Sequence, residues 1–353
     1  MKASIQLGNI NVNFDSEPYV IAEIGVNHEG SLDKAKELIK LAKDGGANCA
    51  KFQSYKASKL AAKESPSYWD TTKEPTTSQF ELFSKLDSFG EKEFLILKKY
   101  CDDIGIEFLS TPFDDYSLDY LDKFINFYKI ASADITNIPF LRKVAMKKKP
   151  IILSTGASNL DEIKTAVSEI KAYGCNEFSV LHCILNYPTV DENANIDMIH
   201  SLRKEFPNTI VGYSDHTLPD NNMSSLILSQ INGARIIEKH FTDDKTLTGN
   251  DHYHAMDFQD LLNFRTISRK IRLLGGKLTE KKAIKSEEIS RLNARRSIVT
   301  NGNINHGDTL TAENMTYKRP GTGISPSNWD EVEGRKVKKD LPDDHIIMWE
   351  DLY

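Results

Sequence analysis

Asn48-Cys49-Ala50-Lys51-Phe52-Gln53 and Phe127-Tyr128-Lys129-Ile130-Ala131-Ser132 read as two buried strands, each carrying a lysine near its end. A lysine in such a strand is costly unless something negative meets it. Two of them on different strands point to one anion held between them. Working outward, apolar runs of similar length recur from Tyr19 onward and alternate with amphipathic stretches. The expected strands are Val20–Ile24, Ala50–Gln53, Glu107–Thr111, Phe127–Ala131, Ile151–Ser154, Phe178–Cys183, Thr209–Tyr213 and Ile236–His240. Continuous apolar strands separated by helices indicate a parallel sheet covered on its outside. Eight such units over about 250 residues predict an α/β fold, a (β/α)8 barrel.

Ahead of this rhythm, Ile5, Leu7, Ile10, Val12 and Phe14 alternate around Gly8-Asn9, which predicts a hairpin able to plug the barrel's N-terminal end. Ser31 suits the N-cap of a helix through Ala35, Leu38 and Leu41, and Gly45-Gly46 suits its stop. Ala61–Asp87 is longer and more polar than the other connections and is expected to form a substrate loop or lid. The barrel domain is expected over residues 1–276 and a charged connector over 277–293. From 294 to 353, short apolar pieces between glycines and prolines predict a small turn-rich domain.

The 353 residues are 39% hydrophobic and 27% charged, as in a soluble globular protein. Cys49, Cys101, Cys175 and Cys183 have no CxxC spacing and read as reduced core thiols in a cytoplasmic protein. No apolar run suits a signal peptide or a membrane span. A net charge of −6 gives no support for nucleic-acid binding, although a local lysine cluster can still attract a small anion.

Barrel enzymes work at the C-terminal ends of their strands. That face is expected to hold Glu23, Lys51, Gln53, Thr111, Lys129, Ser132, Ser154, His182, His216 and His240, with Ser110 and Thr155 nearby. Ammonium groups with hydroxyl donors form a phosphate site. His216 and His240 end neighbouring strands. They either share one divalent metal, with Asp215, Glu238 or Asp251 as oxygen ligands or supporting partners, or serve as hydrogen-bonded core groups. His252 and His254 sit on a loop, where they either face solvent or contact substrate. Glu23 either pairs with the lysines or handles protons.

Several stretches together resemble the sialic acid synthase family: Ala22-Glu23-Ile24-Gly25-Val26-Asn27-His28, Ala50-Lys51-Phe52-Gln53, Leu109-Ser110-Thr111-Pro112-Phe113, Lys129-Ile130-Ala131-Ser132, Leu153-Ser154-Thr155-Gly156, Gly212-Tyr213-Ser214-Asp215-His216-Thr217 and Ile237-Glu238-Lys239-His240-Phe241-Thr242. Lys318-Arg319-Pro320-Gly321-Thr322-Gly323-Ile324-Ser325 resembles the antifreeze-like (SAF) domain that ends those proteins. The resemblance implies condensation of phosphoenolpyruvate with an acylamino sugar to a nine-carbon 2-keto acid. It implies that Lys51, Thr111, Lys129, Ser132 and Ser154 hold phosphoenolpyruvate, and that His216 and His240 hold Mn²⁺ or Mg²⁺. Glu23 would sit by the reacting carbons, making Glu23, Lys51 and Lys129 the catalytic set. Asp251 and Tyr187 would touch the sugar, with Gln53 and Asn186 completing the substrate contacts. The resemblance further implies a domain-swapped homodimer in which Arg319 arrives from the partner subunit.

Two departures fall on the sugar side. Leu185 stands where a polar side chain is usual, and Gly249-Asn250-Asp251 stands where Gly-Pro-Asp is common. They leave N-acetylmannosamine and 2,4-diacetamido-trideoxy hexoses open as acceptors. A synthase for another 3-deoxy-2-keto sugar acid and a metal-dependent hydrolase on the same barrel are the rival readings.

Overall fold

The computed structural model describes residues 3–249, 251–276 and 278–353. Asn250, in one of the two departures, and Lys277, the first residue of the expected connector, lie outside the described residues. The hairpin forms from β1 (Ser4–Leu7) and β2 (Ile10–Asn13), joined at Gly8, whose φ is 58°. Ile5, Leu7 and Val12 are buried in the apolar core, whereas Ile10 is exposed. The Gln6 amide donates to the Glu177 carboxylate, and a side chain at Gly8 would run into Glu107. Both acids lie at strand beginnings, so the hairpin rests against the barrel's N-terminal end.

Eight parallel strands follow: β3 (Tyr19–Gly25), β4 (Cys49–Ser54), β5 (Glu107–Pro112), β6 (Tyr128–Ile130), β7 (Ile151–Ser154), β8 (Phe178–Cys183), β9 (Ile210–Asp215) and β10 (Ile236–His240). Their hydrogen-bonded order is β5-β4-β3-β10-β9-β8-β7-β6, a nearly closed barrel in which β10 returns to pair with β3. Residues on β3 and β6 to β10 are buried along their whole length, which is why the sequence shows apolar runs rather than alternation. β6 is shorter than expected because Ala131 turns into a 3-10 segment over Ser132–Asp134. β9 runs on to Asp215, since buried partners satisfy its polar end.

The helix Leu32–Gly45 begins at Ser31, whose hydroxyl accepts from the Lys34 amide at 3.2 Å, and ends at Gly46 with φ 97°. The long connection after β4 carries two short helices, Ala57–Leu60 and Gln79–Leu86. Between them Trp69 is buried and donates to the carbonyls of Glu74 and Thr76, each at 3.1 Å.

Residues 276–353 form a second compact unit with a separate core around Ile298, Leu310, Met315, Val337 and Ile347. Its sheet pairs β11 (Ser297–Thr300) with β12 (Met315–Lys318). Residues 278–296 are exposed throughout and include the helix Glu288–Ala294. Among the described residues no helix is long and apolar enough to cross a membrane. The four cysteines are buried free thiols.

Candidate active site

A cavity of about 400 Å³ occupies the barrel mouth. Side chains alternate along a strand, so β4 sends Lys51 and Gln53 to the same side and β10 does the same with Glu238 and His240. All four line the cavity, together with Glu23, Thr111, Lys129, Ser132 and Ser154. Lys51 forms an ion pair with Glu23, donates to Thr111 Oγ1 at 3.1 Å and lies 3.8 Å from Glu238 Oε1. Lys129 Nζ lies 3.3 Å from that same oxygen. The negative charge that meets the lysines is therefore partly the protein's own. Glu238, one of the three acids weighed as a metal partner, sits between the lysines and accepts from Ser214 Oγ at 3.1 Å.

These four groups are buried, and their proton affinities diverge. Burial raises the Glu23 carboxyl above its usual range; Lys51 opposes the rise and Glu238 reinforces it. Burial also penalises the Glu238 carboxylate, but Lys129 and Lys51 outweigh it and hold the group low. Two nearby carboxyls with opposite shifts are what acid–base chemistry requires. Gln53 Nε2 donates to Glu23 Oε1 at 3.0 Å and fixes that carboxyl's orientation. Ser132 Oγ accepts from the Gly156 amide at 2.9 Å, while the Ser154 hydroxyl is buried with no hydrogen-bond partner.

Other expected face residues point away. Ser110 bonds to Ser54 at 2.6 Å, and Thr155 donates to the Leu181 carbonyl at 2.8 Å. His182 places Nε2 2.9 Å from the Ala194 carbonyl and stacks on Tyr213. Asp215 is tied to Lys239 at 2.6 Å and to Tyr213 at 2.8 Å, so it serves the core rather than a metal. Asn186 is exposed and stands outside the cavity wall, whereas its neighbours Leu185 and Tyr187 line it. Arg319 is exposed just after β12 in the second unit.

Three histidines gather at the ends of β9 and β10. His216 and His240 have ring centres 5.4 Å apart, and His254 lies 4.8 Å from His240 and 6.2 Å from His216. The solvent reading of the loop carrying His254 fails, since His254 and His252 are both buried. The Met256 amide bonds to the His240 carbonyl at 2.8 Å and Tyr253 to the Tyr187 carbonyl at 2.7 Å, folding the loop back over the strand end. His252 turns aside to Thr242 at 2.8 Å.

Candidate ligand atoms of His240, Asp251 and His254 all lie within 4.8 Å of one another. His240 Nδ1 and both nitrogens of His254 lack hydrogen-bond partners. Burial lowers the His216 pKa to about 4 and holds His240 and His254 well below the usual range, so all three rings are neutral at pH 7. His216 Nδ1 lies 2.8 Å from the Ile184 carbonyl; a ring donating there keeps Nε2 free as a lone-pair donor. Unpartnered neutral imidazoles beside a carboxylate fit a divalent cation.

A parallel barrel with lysines, carboxylates and neutral histidines at its mouth defines an enzyme-type centre. The chain belongs to the NeuB family, which it matches over residues 38–280, with a SAF domain over residues 295–352. It is 37% identical to the N,N'-diacetyllegionaminic acid synthase of Legionella pneumophila over 95% of this chain and 94% of that one. Identity to the synthase of the same name from Campylobacter jejuni is 39%, over 93% and 98%. Among solved structures, the N-acetylneuraminic acid (sialic acid) synthetase of Leptospira borgpetersenii is 35% identical, with a TM-score of 0.72 over 82% of this chain and 95% of that one.

Proposed function

We propose that this protein condenses phosphoenolpyruvate with an N-acyl amino sugar aldehyde and water, giving a nine-carbon 2-keto acid and phosphate. The observation that carries this reading is one cavity holding Lys51 and Lys129 with three hydroxyl residues, and also His216 and His240. Lys51 and Lys129 hold the phosphate, with Thr111, Ser132 and Ser154 as hydroxyl partners. A proton on Glu23 leaves the buried group of two lysines and two carboxylates with net positive charge, which suits an anionic substrate.

His216 and His240 would hold the divalent cation, Mn²⁺ or Mg²⁺, with Asp251 and His254 beside them. When bound, the cation supplies Lewis acidity toward the acceptor's aldehyde oxygen. C3 of phosphoenolpyruvate attacks the aldehyde carbon, and the aldehyde oxygen takes the proton held on Glu23 to become a hydroxyl. Water adds at C2 and returns a proton to the ionised Glu23. The bond between C2 and the phosphate oxygen then breaks, the new C2 hydroxyl's proton leaving with the phosphate, and the 2-keto group remains. The lysines stabilise the departing phosphate.

Leu185 in the cavity wall and the two synthases named above favour a 2,4-diacetamido-trideoxy hexose over N-acetylmannosamine as acceptor. Tyr187, Gln53 and Asp251 face the sugar. We further infer a homodimer in which Arg319 serves the neighbouring subunit's site, working in the cytoplasm, where the thiols stay reduced.

The test is phosphate release from phosphoenolpyruvate with and without a panel of acceptors. Release should depend on an acylamino sugar. Lys129→Ala should cost about 2–4 kcal/mol in kcat/KM for phosphoenolpyruvate, with little change in sugar affinity. Acceptor-independent release, or unchanged phosphoenolpyruvate kinetics in Lys129→Ala, would contradict the reading.

A further inference from the structure

Asp215 and Lys239 each stand directly before a histidine of the candidate metal pair, and the β9–β10 register sets the two opposite each other. His216 and His240 line the cavity. Asp215 and Lys239 lie behind its wall, where Ser225 on the helix Ser224–Ile231 donates to Asp215 Oδ2 at 3.0 Å. Both side chains are fully buried, with Lys239 Nζ 2.6 Å from that same oxygen.

β9 stops at Asp215, and His216 begins the turn beyond it. Two contacts clasp that turn from behind. The Asp215 carboxylate accepts from the Thr217 amide at 2.9 Å, bracketing His216. Lys239 Nζ crosses from β10 and donates to the Thr217 carbonyl at 2.7 Å. One ammonium therefore ties both residues flanking His216 to the residue preceding His240. The hydroxyls of Tyr213 and Thr217 donate to the same carboxylate at 2.8 and 3.1 Å.

Stability alone does not account for this pair. A buried ion pair is often no more stabilising than apolar residues of similar volume, which would fill this layer equally well. Apolar residues could not hold the turn at His216 against β10. Groups behind metal ligands commonly change metal affinity by about 10- to 100-fold, because they orient the ligands. We propose that Asp215 and Lys239 are positioning residues that hold His216 and His240 at their mutual spacing, 5.4 Å between ring centres, for one divalent cation. They act through the histidines and touch neither cation nor substrate. The inference rests on the reading of these histidines as a metal pair.

The test reads Mn²⁺ affinity from the electron paramagnetic resonance signal of the free ion, alongside the unfolding free energy of the metal-free protein. Asp215→Asn with Lys239→Met removes the tie and leaves no buried charge. The amide oxygen still accepts from Tyr213 and Thr217, and the methionine fills the lysine's space. The Mn²⁺ dissociation constant should rise about tenfold or more. At saturating Mn²⁺ kcat should recover, and the KM for phosphoenolpyruvate should stay put. Asp215→Asn alone, with Lys239 still on the Thr217 carbonyl, should show a smaller rise. Tyr213→Phe is the control: it takes one hydrogen bond from the same carboxylate but spares the tie. It should lower stability and leave Mn²⁺ affinity within about twofold. Wild-type affinity in the folded double variant would overturn the positioning role. So would Mn²⁺ affinity that falls as far in Tyr213→Phe as in Asp215→Asn, a comparison that decides the matter even if the double variant fails to fold. A wild type that binds no Mn²⁺ would overturn the metal reading and this inference with it.

Discussion

Glu238 Oε1 lies 3.3 Å from Lys129 Nζ, with both side chains almost fully buried, and Lys51 approaches the same oxygen at 3.8 Å. Glu238→Gln keeps the shape and removes the charge. Removing one partner of a buried pair costs about 3–5 kcal/mol, so unfolding free energy should fall by that order. The Lys129 pKa, already lowered by burial, should fall further. The KM for phosphoenolpyruvate should then rise as pH is raised and recover as acidification returns the lysine's proton. Unchanged stability together with a pH-independent KM would remove Glu238 from this role.

Removal of metal gives a second outcome. Dialysis against a chelator should abolish condensation, and Mn²⁺ should restore it. His240→Ala should weaken Mn²⁺ binding, and His254→Ala should do so by at least about tenfold, as measured by equilibrium titration. Wild-type Mn²⁺ affinity in His254→Ala would place that ring outside the ligand set, and full activity in excess chelator would end the metal role.

The barrel was legible because each strand is buried on both faces and reads as one apolar run, as in Ile151–Ser154 and Phe178–Cys183. That same burial hides which side chains point inward. His182 and Cys183 are neighbours on one strand, yet the cavity receives Cys183 and the outer layer receives the histidine. Glu238 reads in the sequence as one of three candidate oxygen partners for the metal because it lies two residues before His240; its meeting with Lys129 depends on how β10 and β6 face each other across the barrel. His254 reads either as a solvent-facing loop residue or as a substrate contact, since nothing local records that the chain folds back over His240. Lys51, Lys129, Thr111 and Ser154 were legible because polar groups at apolar strand ends are costly without a role.

Acid should destabilise the fold through His28. This residue is buried, stacks 4.1 Å from Phe89 and accepts from the Gly30 amide at 3.1 Å. Burial lowers its pKa from 6.5 to about 4. Its contribution is therefore full above pH 6.5. It declines as pH falls toward about 4, because the unfolded chain takes up a proton that the folded one refuses. At about 1.4 kcal/mol per pKa unit the whole effect is about 3 kcal/mol. Denaturant unfolding of His28→Gln should lose about 2 kcal/mol less than wild type between about pH 7 and about pH 5. Equal losses would show that His28 does not titrate this way.

Arg319 tests the assembly. If it completes the partner's site, Arg319→Ala and Lys51→Ala proteins are each nearly inactive alone. Mixing them should regenerate activity, because one site of a mixed dimer then combines an intact barrel with an intact Arg319. Differently tagged chains confirm the exchange. Confirmed mixed dimers as inactive as their parents would confine Arg319 to its own chain or to no role.

The most direct test of the condensation uses phosphoenolpyruvate labelled with ¹⁸O in the oxygen bridging C2 and phosphorus, with Mn²⁺ and a 2,4-diacetamido-trideoxy hexose. The account predicts equal amounts of nine-carbon keto acid and phosphate, with the label in the phosphate, because water replaces the bridging oxygen at C2. Phosphate release that ignores the sugar, or label retained in the keto acid, would contradict it.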